Sequence, residues 1–150
     1  MNLYLVQHGL ALSEEKDSRK PLSSEGKDIT QEIGRFLKAR GVKVECIWHS
    51  EKLRAIQTAQ IISEFTSYAE TEKRKDLNPL DPVDKFYTEF LKINRDLMIV
   101  GHLPFLQKLT SLLLTGSDNL ELVSFRYSSV LCLEYQEKWK IAWFITPELI

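Results

Sequence analysis

Apolar positions along this chain alternate between two spacings. Leu3 to Val6 form a short unbroken apolar run that stops at Gln7-His8-Gly9, similar runs lie at Val44 to Trp48 and Leu97 to Val100, and a weaker one lies around Thr71 to Arg74. Short continuous runs rich in Leu, Ile and Val predict strands buried on both faces. Between them the apolar residues move to helical spacing. The helical sets are Ile29, Ile33, Phe36 and Leu37, then Leu53, Ile56, Ala59 and Ile62 reaching about Phe65. Val83, Phe86, Tyr87, Phe90 and Leu91 follow, and then Phe105, Leu106, Leu109, Leu112 and Leu113. Ser23 or Ser24 is placed to cap the first helix and Gly41 to end it. Ser50 is placed to cap the second, and Pro104 to open the last, because a first helical turn does not need the N–H that proline lacks. Phe125 to Tyr135 and Trp139 to Ile145 read as two strands joined by a polar turn, QEK.

Strands alternating with amphipathic helices predict an α/β fold: one three-layer α/β/α domain over residues 1–150, with a mostly parallel central sheet. A compact domain of this length buries roughly 68–70% of its unfolded surface, so it needs no covalent staple. Cys46 and Cys132 stand far apart inside strand patterns and suggest no disulfide. With 20 Lys+Arg against 21 Asp+Glu, the chain has no basic excess to favour nucleic acid or an anionic membrane. It also lacks a leader-like segment and an apolar run long enough to span a bilayer, so a cytoplasmic location is expected.

In open parallel sheets, ligands bind beyond the carboxyl ends of the strands. Three passages there carry cationic or titratable groups: Val6-Gln7-His8-Gly9, Trp48-His49-Ser50 leading to Arg54, and Val100-Gly101-His102-Leu103-Pro104. Arg54 falls in the first turns of its helix, and helical side chains lean toward the N-terminus, so it can reach back over the sheet edge. His102 precedes a helix start, where free N–H groups and the positive end of the dipole attract anions. Two imidazoles, a guanidinium and a helix N-terminus make an anion pocket with a nucleophile inside it. A lone histidine at a strand end is ordinarily a polar boundary residue, but a second one at an equivalent strand end, again beside a glycine, favours chemistry. His49 has no such glycine and is assigned to the rim or the structure. Three histidines can hold zinc. Yet no H-x-x-x-H or H-E-x-x-H spacing occurs, and Arg54 would repel a divalent cation, so neither a metal nor another cofactor is expected.

YLVQHG, SEKLRAIQTA and VGHLP, in this order and spacing, resemble the histidine phosphatase superfamily, whose first motif is Arg-His-Gly. KPLSSEG, LNPLDP and WFITPEL look more particularly like the SixA-type phosphohistidine phosphatases. The resemblance implies the histidine phosphatase (phosphoglycerate mutase-like) fold. It assigns phosphorus attack to His8, a grip on the phosphoryl oxygens to Arg54, and the role of cation or hydrogen-bond donor to His102. Gly9 would let the phosphoryl group approach the backbone. Gln7 stands where the family has arginine and offers only neutral hydrogen bonds, a loss of about 1.5–3 kcal/mol if nothing compensates. Lys20, aligned with a basic residue of the SixA type, is the expected substitute, with Arg19 beside it. Leu10 makes the rim more apolar than in many relatives.

No glutamate stands out as a general acid. Asp81 is the best-placed carboxylate, although a loop aspartate is commonly a turn residue. A weak acid is informative: an alkoxide leaving group needs a proton donor, whereas a phosphoimidazole protonated on its own ring departs as neutral imidazole. The expected activity is therefore metal-independent removal of phosphoryl groups from phosphohistidine on a partner protein, such as a phosphotransfer domain, through phospho-His8. The alternatives are a small-molecule phosphomonoesterase and a phosphoprotein-binding module whose catalysis has faded with the missing arginine.

Overall fold

A computed structural model describes residues 1–68 and 70–150. Its central sheet has the order β3-β2-β4-β1-β5-β6, formed by β1 (Asn2–Gln7), β2 (Cys46–Ser50), β3 (Glu70–Arg74), β4 (Leu97–Gly101), β5 (Val130–Gln136) and β6 (Lys138–Ile145). The first four pair in parallel, whereas β5 runs antiparallel to β1 and β6 antiparallel to β5. The helices are α1 (Ser24–Ala39), α2 (Leu53–Ser63), α3 (Val83–Phe90) and α4 (Phe105–Thr115), with a short 3-10 turn at Pro147–Leu149.

The continuous apolar runs follow from double-sided burial. Leu3 and Leu5 of β1 and Leu97 and Ile99 of β4 pack with Phe86, Phe90 and Phe105 of α3 and α4. Their neighbours Tyr4, Val6, Met98 and Val100 face the other way and pack with Ile33 and Leu37 of α1 and Ala59 and Ile62 of α2. Every position of these strands is therefore covered by one helical layer or the other, giving the three-layer α/β/α arrangement the sequence predicts. Ser23 caps α1 by accepting the Gly26 N–H at 2.9 Å. The helix ends with Val42 N–H on the Leu37 carbonyl and Gly41 N–H on the Lys38 carbonyl, both at 3.0 Å, and with Gly41 at φ +67°, a conformation glycine adopts without strain.

Three boundaries differ from the sequence expectation. β2 lies about two residues later than Val44 to Trp48, so His49 and Ser50 belong to the strand. Ser50 does not cap α2; Lys52 holds the cap position and supplies no side-chain hydrogen bond. β5 begins at Val130 rather than Phe125, because Ser128 has φ +62° and its N–H donates to the carbonyls of Gln7 (3.1 Å) and His8 (3.3 Å). That bond folds residues 125–129 across the end of β1. Among the described residues, no helix is long and apolar enough to cross a membrane.

Candidate active site

β1, β2 and β4 are neighbours in the sheet, with Gln7 opposite Gly101 and His49 opposite Val100. Their carboxyl ends therefore deliver His8, Ser50 and His102 to one place. The His8 Nδ1–H donates to the Gly9 carbonyl at 2.7 Å. A carbonyl oxygen can only accept, so the ring proton is on Nδ1 and Nε2 keeps its lone pair. Arg54 directs its Nε–H at that Nε2 from 3.4 Å. The bond donor next to His8 is itself fixed: the Gly9 N–H donates to Thr58 Oγ1 at 2.9 Å, and the Thr58 hydroxyl donates to the Arg54 carbonyl at 2.7 Å. A Cβ on Gly9 would lie 2.7 Å from Thr30 Oγ1, so the glycine here serves close packing against α1, with its N–H already engaged.

The His102 ring lies 5.0 Å from that of His8 and is only 1% exposed. Its Nε2 shares a 2.7 Å hydrogen bond with Ser50 Oγ, and its Nδ1 has no partner among the described residues. When the Ser50 hydroxyl donates to Nε2, the proton sits on Nδ1, a buried N–H without a partner among the described residues.

Burial sets the charge state of both rings. It lowers the His8 pKa to about 4, with Arg54 and Lys20 adding repulsion against the bond to Gly9, and it lowers His102 to about 3, with His8, Arg54, Lys52 and Lys20 adding repulsion. Both imidazoles are thus neutral near pH 7, which suits a nucleophile at His8. Of the two options for His102, the lowered value favours the neutral hydrogen-bond donor over the cation. Burial likewise lowers Arg54 from its ordinary value, partly offset by Tyr127.

The other expected residues divide clearly. Gln7 is 8% exposed, and among the described residues its side-chain amide has no hydrogen bond; Oε1 is buried without a partner there. Lys20 is close enough for its charge to lower both histidines, whereas Arg19 points to solvent and pairs with Asp17 at 2.9 Å. Of the two basic neighbours, Lys20 is the one whose charge bears on His8 and His102. Asp81 does not join it. Its carboxylate accepts the Asn78 N–H at 2.8 Å, closing a turn, and it lines a different cleft with Arg74 and Phe86. His49 donates from Nδ1 to the Ser50 carbonyl at 2.9 Å and is a buried strand residue.

Sequence reasoning passed over the bond of Ser50 to His102, the anchoring of Gly9 by Thr58, and Tyr127, whose ring lies 5.6 Å from that of His8. Thr58 had a signal, since it falls one helical turn after Arg54. Tyr127 had none, because Phe125 to Tyr135 reads as an ordinary strand. Among the described residues, no group of three or more His, Cys, Asp or Glu is arranged to hold a metal ion.

The sequence profile of the histidine phosphatase superfamily (branch 1) matches residues 3–84, which include His8 and Arg54. No curated protein matches the chain in sequence. Among solved structures, the protein histidine phosphatase SixA complexed with tungstate is 23% identical, with a TM-score of 0.85 over 99% of both chains. A protein of Agrobacterium tumefaciens provisionally assigned as the phosphohistidine phosphatase SixA is 18% identical, with a TM-score of 0.79 over 97% of both chains. A phosphoserine phosphatase of Entamoeba histolytica, in complex with 3-phosphoglyceric acid, is 14% identical, with a TM-score of 0.70 over 97% of this chain and 96% of that one. These likenesses establish the fold, and they show that one fold serves phosphatases named for different substrates.

Proposed function

The chain belongs to the histidine phosphatase superfamily, and from that premise we propose that it is a metal-independent phosphohistidine phosphatase, one domain over residues 1–150, acting in the cytoplasm on a phosphotransfer-type protein. His8 Nε2 attacks phosphorus while the Gly9 carbonyl holds Nδ1–H. Arg54, Lys20 and the His102 Nδ1–H surround the transferring oxygens, and Gln7 and the backbone at Gly9 border them. Charge gathered on those oxygens in the transition state is then met by donors already in place. Water subsequently hydrolyses phospho-His8.

The observation that carries the reading is an unprotonated Nε2 on a buried, neutral histidine, facing Arg54, with, among the described residues, no carboxylate hydrogen-bonded to His8, Arg54 or His102. With no acid bonded to these groups, an alkoxide leaves slowly. A phosphoimidazole carries its own proton. The two solved relatives named for SixA agree with this substrate class. A comparison of kcat/KM for a phosphohistidine protein, sugar phosphates and phosphoserine peptides tests it. We expect at least a hundredfold preference for phosphohistidine, a margin of about 2.7 kcal/mol. A small ester that matched or exceeded it would move the assignment to a phosphomonoesterase. Gln7 in place of arginine favours a second reading, a phosphoprotein-binding module, which would bind the same partner without turnover.

A further inference from the structure

Tyr127 is half-exposed, yet its neighbours Arg126, Ser128 and Ser129 are held by hydrogen bonds. Ser128 turns the chain at φ +62°, its N–H held by the Gln7 and His8 carbonyls and its hydroxyl 2.8 Å from the Thr30 hydroxyl. Ser129 Oγ accepts the Arg126 N–H at 3.0 Å and donates to the Arg126 carbonyl at 2.7 Å. A non-glycine residue at positive φ persists only where its surroundings over-determine it. The result is an aromatic ring held 5.6 Å from the His8 ring and tilted 42° to it. The same ring borders a cleft of about 390 Å³ lined also by Gln7, Leu10, Arg126 and Glu148, and Gln7 Oε1 is buried with no partner among the described residues.

We propose that this cleft is the leaving-group subsite, in which Tyr127 stacks against the imidazole ring of the substrate and Gln7 Oε1 accepts its ring N–H; the inference rests on the phosphohistidine reading and deepens it. In the transfer step, the His8 Nε2 lone pair forms the new N–P bond. The substrate P–N bond breaks, and its electron pair returns to the ring nitrogen. A ring already protonated at its other nitrogen departs as neutral imidazole, so no further acid is required. That other N–H is the donor an orphaned buried acceptor calls for. A serine or sugar ester brings neither a flat ring nor a ring N–H, so the subsite discriminates by shape and by hydrogen bonding at once.

The test compares phosphohistidine with phosphoramidate, whose leaving group has the same P–N bond and no ring, as phosphoryl donors to the full chain. In Tyr127→Ala and Tyr127→Leu, the ratio of kcat/KM for phosphohistidine to that for phosphoramidate falls roughly two- to tenfold, and in Tyr127→Phe it is kept. An unchanged ratio in both Tyr127→Ala and Tyr127→Leu, with the wild type active on phosphohistidine, overturns the subsite and leaves the phosphatase reading standing. A wild type that transfers from phosphoramidate but never from phosphohistidine removes the substrate reading and the subsite with it.

Discussion

Acidification probes the site without altering a residue. In the unfolded chain His8 and His102 take up protons near pH 6.5, whereas in the folded protein burial holds them neutral down to about 4 and about 3. Between those values the unfolded state binds more protons, so stability falls as pH is lowered; the loss begins near 6.5 and grows until the folded-state values are reached. From about pH 7 to about pH 5.5, each refused proton destabilises the fold by about 1.2 kcal/mol, or about 2.5 kcal/mol for the pair. Urea-unfolding free energies at the two pH values measure the loss, and His8→Gln, which removes one of the two groups, should show about half of it. The His8 Cε1 proton resonance should stay flat over the same range. Equal losses in wild type and His8→Gln, or a His8 resonance that titrates near 6.5, would refute the argument that His8 is kept neutral by burial.

Other substitutions address single roles. Lys20→Ala should weaken vanadate inhibition by up to about tenfold, about 1.4 kcal/mol, and move the His8 titration upward, because a repelling charge is removed. Gln7→Arg should tighten the same inhibition by as much as about 1.5–3 kcal/mol, unless Lys20 already fills that place, in which case inhibition is unchanged. Gly9→Ala would press a Cβ to 2.7 Å from Thr30 Oγ1 and should destabilise the fold by about 1–3 kcal/mol in urea melts. Asp81→Ala should lower stability by about 1 kcal/mol through the lost bond to Asn78 while kcat/KM stays within about twofold; a hundredfold fall in kcat/KM would return Asp81 to the general-acid role.

How much of this was legible in the chain depends on what each residue touches. β1 and β4 could be read directly, because helices cover both of their faces and leave no polar position to break the run. β2 was placed early because Val44 is buried in the core beside the strand rather than within it. Phe125 misled in the same way, being buried with the α3 and α4 layer while its backbone crosses the end of β1. Hydrophobic pattern reports burial, and burial does not require strand geometry. His8, Arg54 and His102 were legible because parallel topology collects what stands at neighbouring strand ends. Ser50 was misread because a serine hydroxyl suits a helix cap and a histidine equally well, and only the sheet register places His102 within 2.7 Å of it. Tyr127 depends on the positive φ of Ser128, for which a Tyr-Ser-Ser sequence carries no sign.

The central claim is that His8 carries the phosphoryl group. Rapid-quench trapping during turnover of a phosphohistidine protein measures this most directly. Wild type should accumulate protein-bound phosphate that is labile to acid and stable to alkali, the signature of a phosphoramidate, and EDTA should not reduce it. His8→Ala should show neither the trapped phosphate nor turnover. Undiminished phosphate on His8→Ala, or turnover that survives the substitution, would contradict the account.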